Sequence, residues 1–177
     1  MLFAFHGKMP RIDPTAYVSA SAEIIGDVTI GQHCYIGPYA VIRGDGAEIV
    51  IEEEVAIEDG VIIHAGGAEK HCRVSRRVTV GHGAIVHSKY LGPEVSVGMG
   101  AVLSLGCEIG EGSIVAESAV VSQGKKIPPN TLVAGIPAKP LRDLTEKDRI
   151  SWNKTKDWYV QLVKEYMDSD NFYPIER

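Results

Sequence analysis

Aliphatic residues recur along the chain at an unbroken period of six: Ile12, Val18, Ile24, Ile30, Ile36 and Ile42. The fifth residue of each hexad is small: Ala16, Ala22, Val28, Cys34, Ala40 and Gly46. The register then slips by three and resumes at Ile51, Ile57 and Ile63. It slips again to Val74, Val80 and Val86, and once more to Leu91, Val97, Leu103, Ile109 and Val115. Helices repeat every 3.6 residues and strands every 2.0, so neither produces this rhythm. A coil that turns a corner every six residues does, with the aliphatic side chain inward and successive turns about 4.8 Å apart.

The pattern resembles the hexapeptide-repeat, left-handed parallel β-helix proteins, in which three hexads make one triangular turn. The predicted class is therefore an all-β solenoid with a C-terminal α-helix. The seventeen hexads counted above would make about five to six turns. The coil is expected to end near Ala134, because GIPAKPLR (135 to 142) resembles the exit segment of that family and its two prolines stop ladder pairing. Thr145 and Asp148 then read as a helix start, followed by an apolar stripe of Ile150, Trp158, Tyr159, Leu162, Val163 and Tyr166. The division expected is a β-helix over 1–140 and a helical segment over 141–177 packed on its side.

Composition narrows the function classes. The 177 residues carry a net charge of −5 with dispersed Lys and Arg, which leaves no basic stripe for phosphates, so nucleic acid is not an expected partner. No apolar run approaches the ~20 residues of a membrane span, and the opening MLFAFHGKMP is too short and interrupted for a secretory signal. A cytoplasmic protein is expected. Cys34, Cys72 and Cys107 are an odd set without CxxC spacing, which points to reduced thiols rather than a disulfide framework or a thiolate zinc site.

Hexad counting assigns residues to faces of the prism. Arg43, His64 and His87 each follow the inward residue of a hexad on the same face, on successive turns, provided that residues 65 to 73 (AGGAEKHCR) hold a bulged loop. His82 falls on an adjacent face, one turn above Asp59. His64 and His87, one turn apart and pointing outward, can converge on one ion. His82 points away from it, so a third ligand has to come from another chain, which suggests a symmetric trimer. Solvated surface histidines remain the alternative on pattern alone. His6, His33 and His71 carry no such geometry.

IRGDG (42 to 46), IEDGVIIHA (57 to 65) and VGHGAIVH (80 to 87) together resemble the γ-class carbonic anhydrase family. That resemblance implies metal ligation by His64 and His87 of one subunit and His82 of its neighbour. It also implies an interface pair of Arg43 and Asp45, with Asp59 beside them. The implied activity is hydration of carbon dioxide to bicarbonate by a metal-bound hydroxide, with zinc as the default ion and iron or cobalt also suited to three imidazoles and water. The chain departs from the best-known members at Gly46, Ala56 and Glu58 and in its short loop. Glu58 is expected to supply a carboxylate near the bound water, with Glu69 or His71 as proton relay. Tyr159 resembles a helix residue that approaches the site in some relatives, but it is expected to be core.

Two other functions stay open. The coil and the GIPAKP exit are shared with acyl-CoA-dependent acetyltransferases, which use one histidine as general base and need no metal. The third is a metal-holding, anhydrase-like subunit with little turnover.

Overall fold

The computed structural model describes residues 1–66, 71–168 and 172. Its body is a left-handed parallel β-solenoid of about seven turns. One column of strands stacks Leu2–Phe3, the first half of Glu23–Ile30, the start of Val41–Ile51, Ile62–His64, Ile85–Val86, Val102–Leu103 and Val120–Val121. A second runs from Arg11–Ile12 through the remaining parts of Glu23–Ile30 and Val41–Ile51 to His71–Val74, Tyr90–Leu91, Glu108–Ile109 and Lys126–Ile127. The third runs from Tyr17–Val18 to Thr131–Gly135.

The inward aliphatic residues form the core. Ile24, Ile42, Ile63, Val86, Leu103 and Val121 line one column of the interior, and each is fully buried. Burial of such a side chain contributes about 1.5–3 kcal/mol. The small fifth residues, among them Ala22, Cys34, Ala40, Ala84 and Cys107, are equally buried under the corners. The fourth residue makes the turn at positive φ, for example Glu94 (61°) and Asn130 (55°), a role that Gly83 (67°) takes beside the site described below. The three cysteines are free and buried, and burial pushes each thiol up to about 12.

Two expectations are corrected at the C-terminal end. Val121, Ile127 and Val133 continue the six-residue period inside the coil, which is why it has more turns than expected. The polar outward residues of QGKKIPPN hide the inward ones in a reading by hydrophobicity. The exit prolines do not end pairing: Ala138–Asp143 folds back antiparallel on Thr131–Gly135, with Pro140 opposite Val133 beside a register shift.

The helix Glu146–Met167 (α1) starts as expected, with a reciprocal capping box between Thr145 and Asp148. Its 22 residues span about 33 Å at ~1.5 Å each, close to the height of seven turns at about 4.8 Å. Its contacts descend the coil in order: Arg149 with Asn130, Lys156 with Ser96, Asp157 with Arg77, Tyr159 with Tyr35 and Tyr166 with Tyr17. Tyr159 and Val163 are buried, but Ile150 and Trp158 of the expected apolar stripe are exposed.

Lys156 is also buried. Burial lowers its pKa to about 8, opposed by Glu94 and reinforced by Arg77. The unfolded chain, with a lysine value of ~10.4, binds more protons between those limits. Stability therefore rises as pH climbs from about 8 towards ~10.4, and the full penalty applies below 8. Lys156→Met is expected to raise the thermal midpoint by several degrees at pH 7 and by much less at pH 10, as read by calorimetry at the two pH values.

Candidate functional site

The parallel ladder fixes the first half of the site. Arg43 pairs in register with His64, and Ile63 with Val86, so His87 stands one turn beyond His64. The two imidazoles lie 4.8 Å apart between centroids at 75°. His64 Nδ1 is 3.3 Å from His87 Nε2, and His64 Nε2 is 3.0 Å from Asp45 Oδ1. Arg43 Nη1 donates to Asp45 Oδ2 at 2.6 Å. Burial works to raise the Asp45 pKa, but the hydrogen bonds from Arg43 and His64 prevail and hold it below the usual carboxylate value. Asp45 is therefore ionised at neutral pH and fixes His64 with its proton on Nε2 and its lone pair on Nδ1, facing His87. His87 is held below its ordinary pKa by burial first, then by His64 and Arg43, so it is neutral at pH 7.

The Arg43–Asp45 segment of the strand Val41–Ile51 is set by a close backbone approach. A Cβ on Gly44 would lie 2.5 Å from the carbonyl oxygen of Asp27.

The second half stands on the neighbouring face. Glu58, 6% exposed, accepts from the His82 backbone N–H at 3.0 Å, and its Oε2 lies 3.1 Å from His82 Nε2. The Asp59 backbone N–H points at His82 Nδ1 from 3.3 Å, and the Asp59 carboxylate is 3.7 Å from the same nitrogen. These contacts set the tautomer: Nε2 carries the proton towards Glu58, and Nδ1 carries the lone pair. Tyr159 of α1 stands near Glu58: burial first and the Glu58 charge second push its pKa up. Beside His82 lies a cleft of about 250 Å³, lined by Met99, Trp158 and Tyr159 with Glu117 and Thr155.

The structure thus gathers Arg43, Asp45, His64 and His87 in one group and Glu58, Asp59 and His82 in another. Among the described residues, no three metal-binding side chains converge within the chain. Glu58 is buried under His82 rather than solvated. His71 pairs with Glu48 on the second column, away from both groups, and Glu69 lies outside the described residues. Tyr159 is core, as expected, and also reaches Glu58. Sequence reasoning missed the cleft: Trp158 was read as part of the packed apolar stripe, and its 56% exposure shows only once the coil opposite it is in place.

Coil and outward histidines together define a hexapeptide-repeat protein. The family described as bacterial transferase hexapeptide (six repeats) matches residues 6–44. The carnitine operon protein CaiE of Proteus sp. (strain LE138) is 38% identical over 167 residues, covering 94% of this chain and 81% of that protein. The chain belongs to this CaiE family of hexapeptide-repeat proteins. Among solved structures, a Bacillus cereus protein assigned as an acetyltransferase is 36% identical with a TM-score of 0.89, over 94% of this chain and 96% of that one. A hexapeptide transferase family protein from Anaplasma phagocytophilum is 34% identical with a TM-score of 0.88, over 94% and 98% of the two chains.

These likenesses correct the expectation of a γ-class carbonic anhydrase. The structures that match nearly the whole chain carry transferase descriptions, and the curated relatives are named as carnitine operon proteins. The physical reason is that stacked histidines on a six-residue coil fix where imidazoles stand, not which substrate reaches them.

Gly44→Ala is expected to destabilise the fold by about 1–3 kcal/mol, because the only relief for the new methyl is movement of backbone. It should also release Asp45 from His64, seen in solution spectra as a change in the His64 tautomer.

Proposed function

We propose that the chain transfers an acyl group from a coenzyme A thioester to a hydroxyl or amine acceptor, with His82 as general base. The observation that carries this reading is the buried Glu58 carboxylate fixing the His82 tautomer at the mouth of an apolar cleft. Once released from the Asp59 backbone N–H, His82 Nδ1 takes the acceptor's proton, and the acceptor attacks the thioester carbonyl. The carbon–sulfur bond then breaks, and the proton leaves with the coenzyme A thiol. The exposed Met99 and Trp158 side chains give the cleft an apolar wall suited to the thioester end of the donor. Similarity to transferase structures at 34–36% identity supports the same class.

The other group belongs to the same centre in a homotrimer. Val41, Ile62, Ile85, Val102 and Val120 form an outward apolar ladder on the face of His64 and His87, with Ile62 42% and Ile85 39% exposed. Such a ladder is suited to burial against another protomer. A three-fold assembly sets this face against the adjacent face of the next copy and brings the partner's His82 towards His64 and His87.

Activity is checked by thiol release from acetyl-CoA across a panel of alcohols and amines. His82→Gln is expected to lower turnover by about 100-fold or more, and Glu58→Gln by about tenfold. An enzyme that neither binds coenzyme A by calorimetry nor releases thiol with any acceptor overturns the reading.

A second reading is favoured by the 3.3 Å between His64 Nδ1 and His87 Nε2. Two nitrogens each ~2.0–2.1 Å from a tetrahedral zinc lie about 3.4 Å apart, so the pair fits one divalent cation, zinc by default and iron or cobalt by ligand type. His64 and His87, with His82 of the next protomer, would hold it, and it would supply positive charge to polarise a bound carbonyl. Protein purified without added metal is then expected to contain about one ion per chain by elemental analysis. His64→Asn and His87→Asn should each abolish binding. Metal-free wild type with full thiol release would leave only the first reading.

A further inference from the structure

A cavity of about 300 Å³ lies between α1 and the coil, lined in part by Glu94, Glu111, Asn130, Arg149, Trp152 and Lys156. It shares Trp152 with the cleft beside His82 and is otherwise separate from it.

Two of its charged groups have unmet needs. Lys156 is 2% exposed, and its ammonium donates to Ser96 Oγ at 2.6 Å and stands 5.3 Å from the centre of the Trp152 ring. An ammonium has three protons to donate, and among the described residues no carboxylate lies within ion-pair distance of this one. Glu94 Oε1 accepts from Arg77 Nε at 3.0 Å, whereas Glu94 Oε2 is buried without a donor. A buried cation and a buried acceptor on the wall of one cavity ordinarily close on each other. Here they do not, and open space adjoins both.

The signs of the remaining lining residues narrow the ligand. A lone anion drawn to Lys156 and Arg149 would meet Glu94 and Glu111; a lone cation drawn to those carboxylates would meet the two basic groups. Only a molecule carrying both charges at its two ends matches. The volume is at the small end for ligand sites and suits something the size of an amino acid. The Trp152 ring supplies a wall for its methylenes.

We propose that this cavity binds a small zwitterion, its ammonium donating to Glu94 Oε2 and its carboxylate held by Lys156. The site is independent of the acyl-transfer reading, because its occupancy is read without turnover.

The test uses the full chain carrying Trp158→Phe, so that Trp152 is the fluorescent reporter. Glycine, β-alanine, γ-aminobutyrate and δ-aminovalerate are titrated, with butyrate and butylamine as singly charged controls. One chain length should bind best, and both controls about tenfold or more weaker, since each lacks one charged contact. Lys156→Met and Glu94→Gln, each first shown to be folded by its thermal transition, should lower affinity for the best zwitterion about tenfold. The proposal is overturned if no zwitterion alters Trp152 emission or the thermal midpoint. It is equally overturned if butyrate or butylamine binds as tightly, or if both variants bind as wild type does.

Discussion

The ladder of parallel hydrogen bonds between turns is the constraint on which the molecule depends. It places each paired strand residue over one a turn earlier, at the spacing of neighbouring strands. A solenoid of this kind has no choice about which outward side chains meet, because alignment of the inward aliphatics decides it. Arg43, His64 and His87 are neighbours for that reason, and so are Asp59 and His82. The polar sites ride on the register of an apolar core that they do not touch.

Each histidine group contains a carboxylate that orients a ring, Glu58 from a buried position and Asp45 from a half-buried one. Asp45 is anchored by Arg43 and orients His64; Glu58 sits beneath His82 with Tyr159 of α1 behind it. Held this way, an imidazole presents its lone pair in one direction. That is what proton abstraction from an acceptor requires, and it is also what a cation requires of a ligand. The same scaffold can therefore serve either chemistry, and the discriminating features are the apolar cleft beside His82 and the spacing of His64 and His87.

Much of this was legible in the sequence. The hexad period gave the solenoid, and counting faces across the loop at 65 to 73 correctly stacked His64 on Arg43 and separated His82 from His87. Three things were not legible. Val121, Ile127 and Val133 were obscured by the polar, proline-rich residues around them, since hydrophobicity averaged along a chain dilutes an inward residue that occurs once in six. The contact of Glu58 with His82 depends on side-chain direction at a corner, which spacing alone does not fix. The burial of Lys156 was hidden because a lysine in a helix reads as solvated until the coil opposite it is known. The γ-class reading failed differently: it set Asp59 beside Arg43 and Asp45, whereas within the chain Asp59 stands against His82, and the chemistry attached to these residues came from likeness rather than from geometry.

Stacked repeats usually gain stability turn by turn, each leaning on its neighbours alone, so that the ends of the stack can melt while the middle persists. The helix α1 alters that arithmetic. It touches the coil at Asn130, Ser96, Arg77, Tyr35 and Tyr17, and so acts as a splint along the whole axis. No terminal turn can peel away without also loosening a brace shared with every other turn, and a one-dimensional array is thereby made to open as a single body.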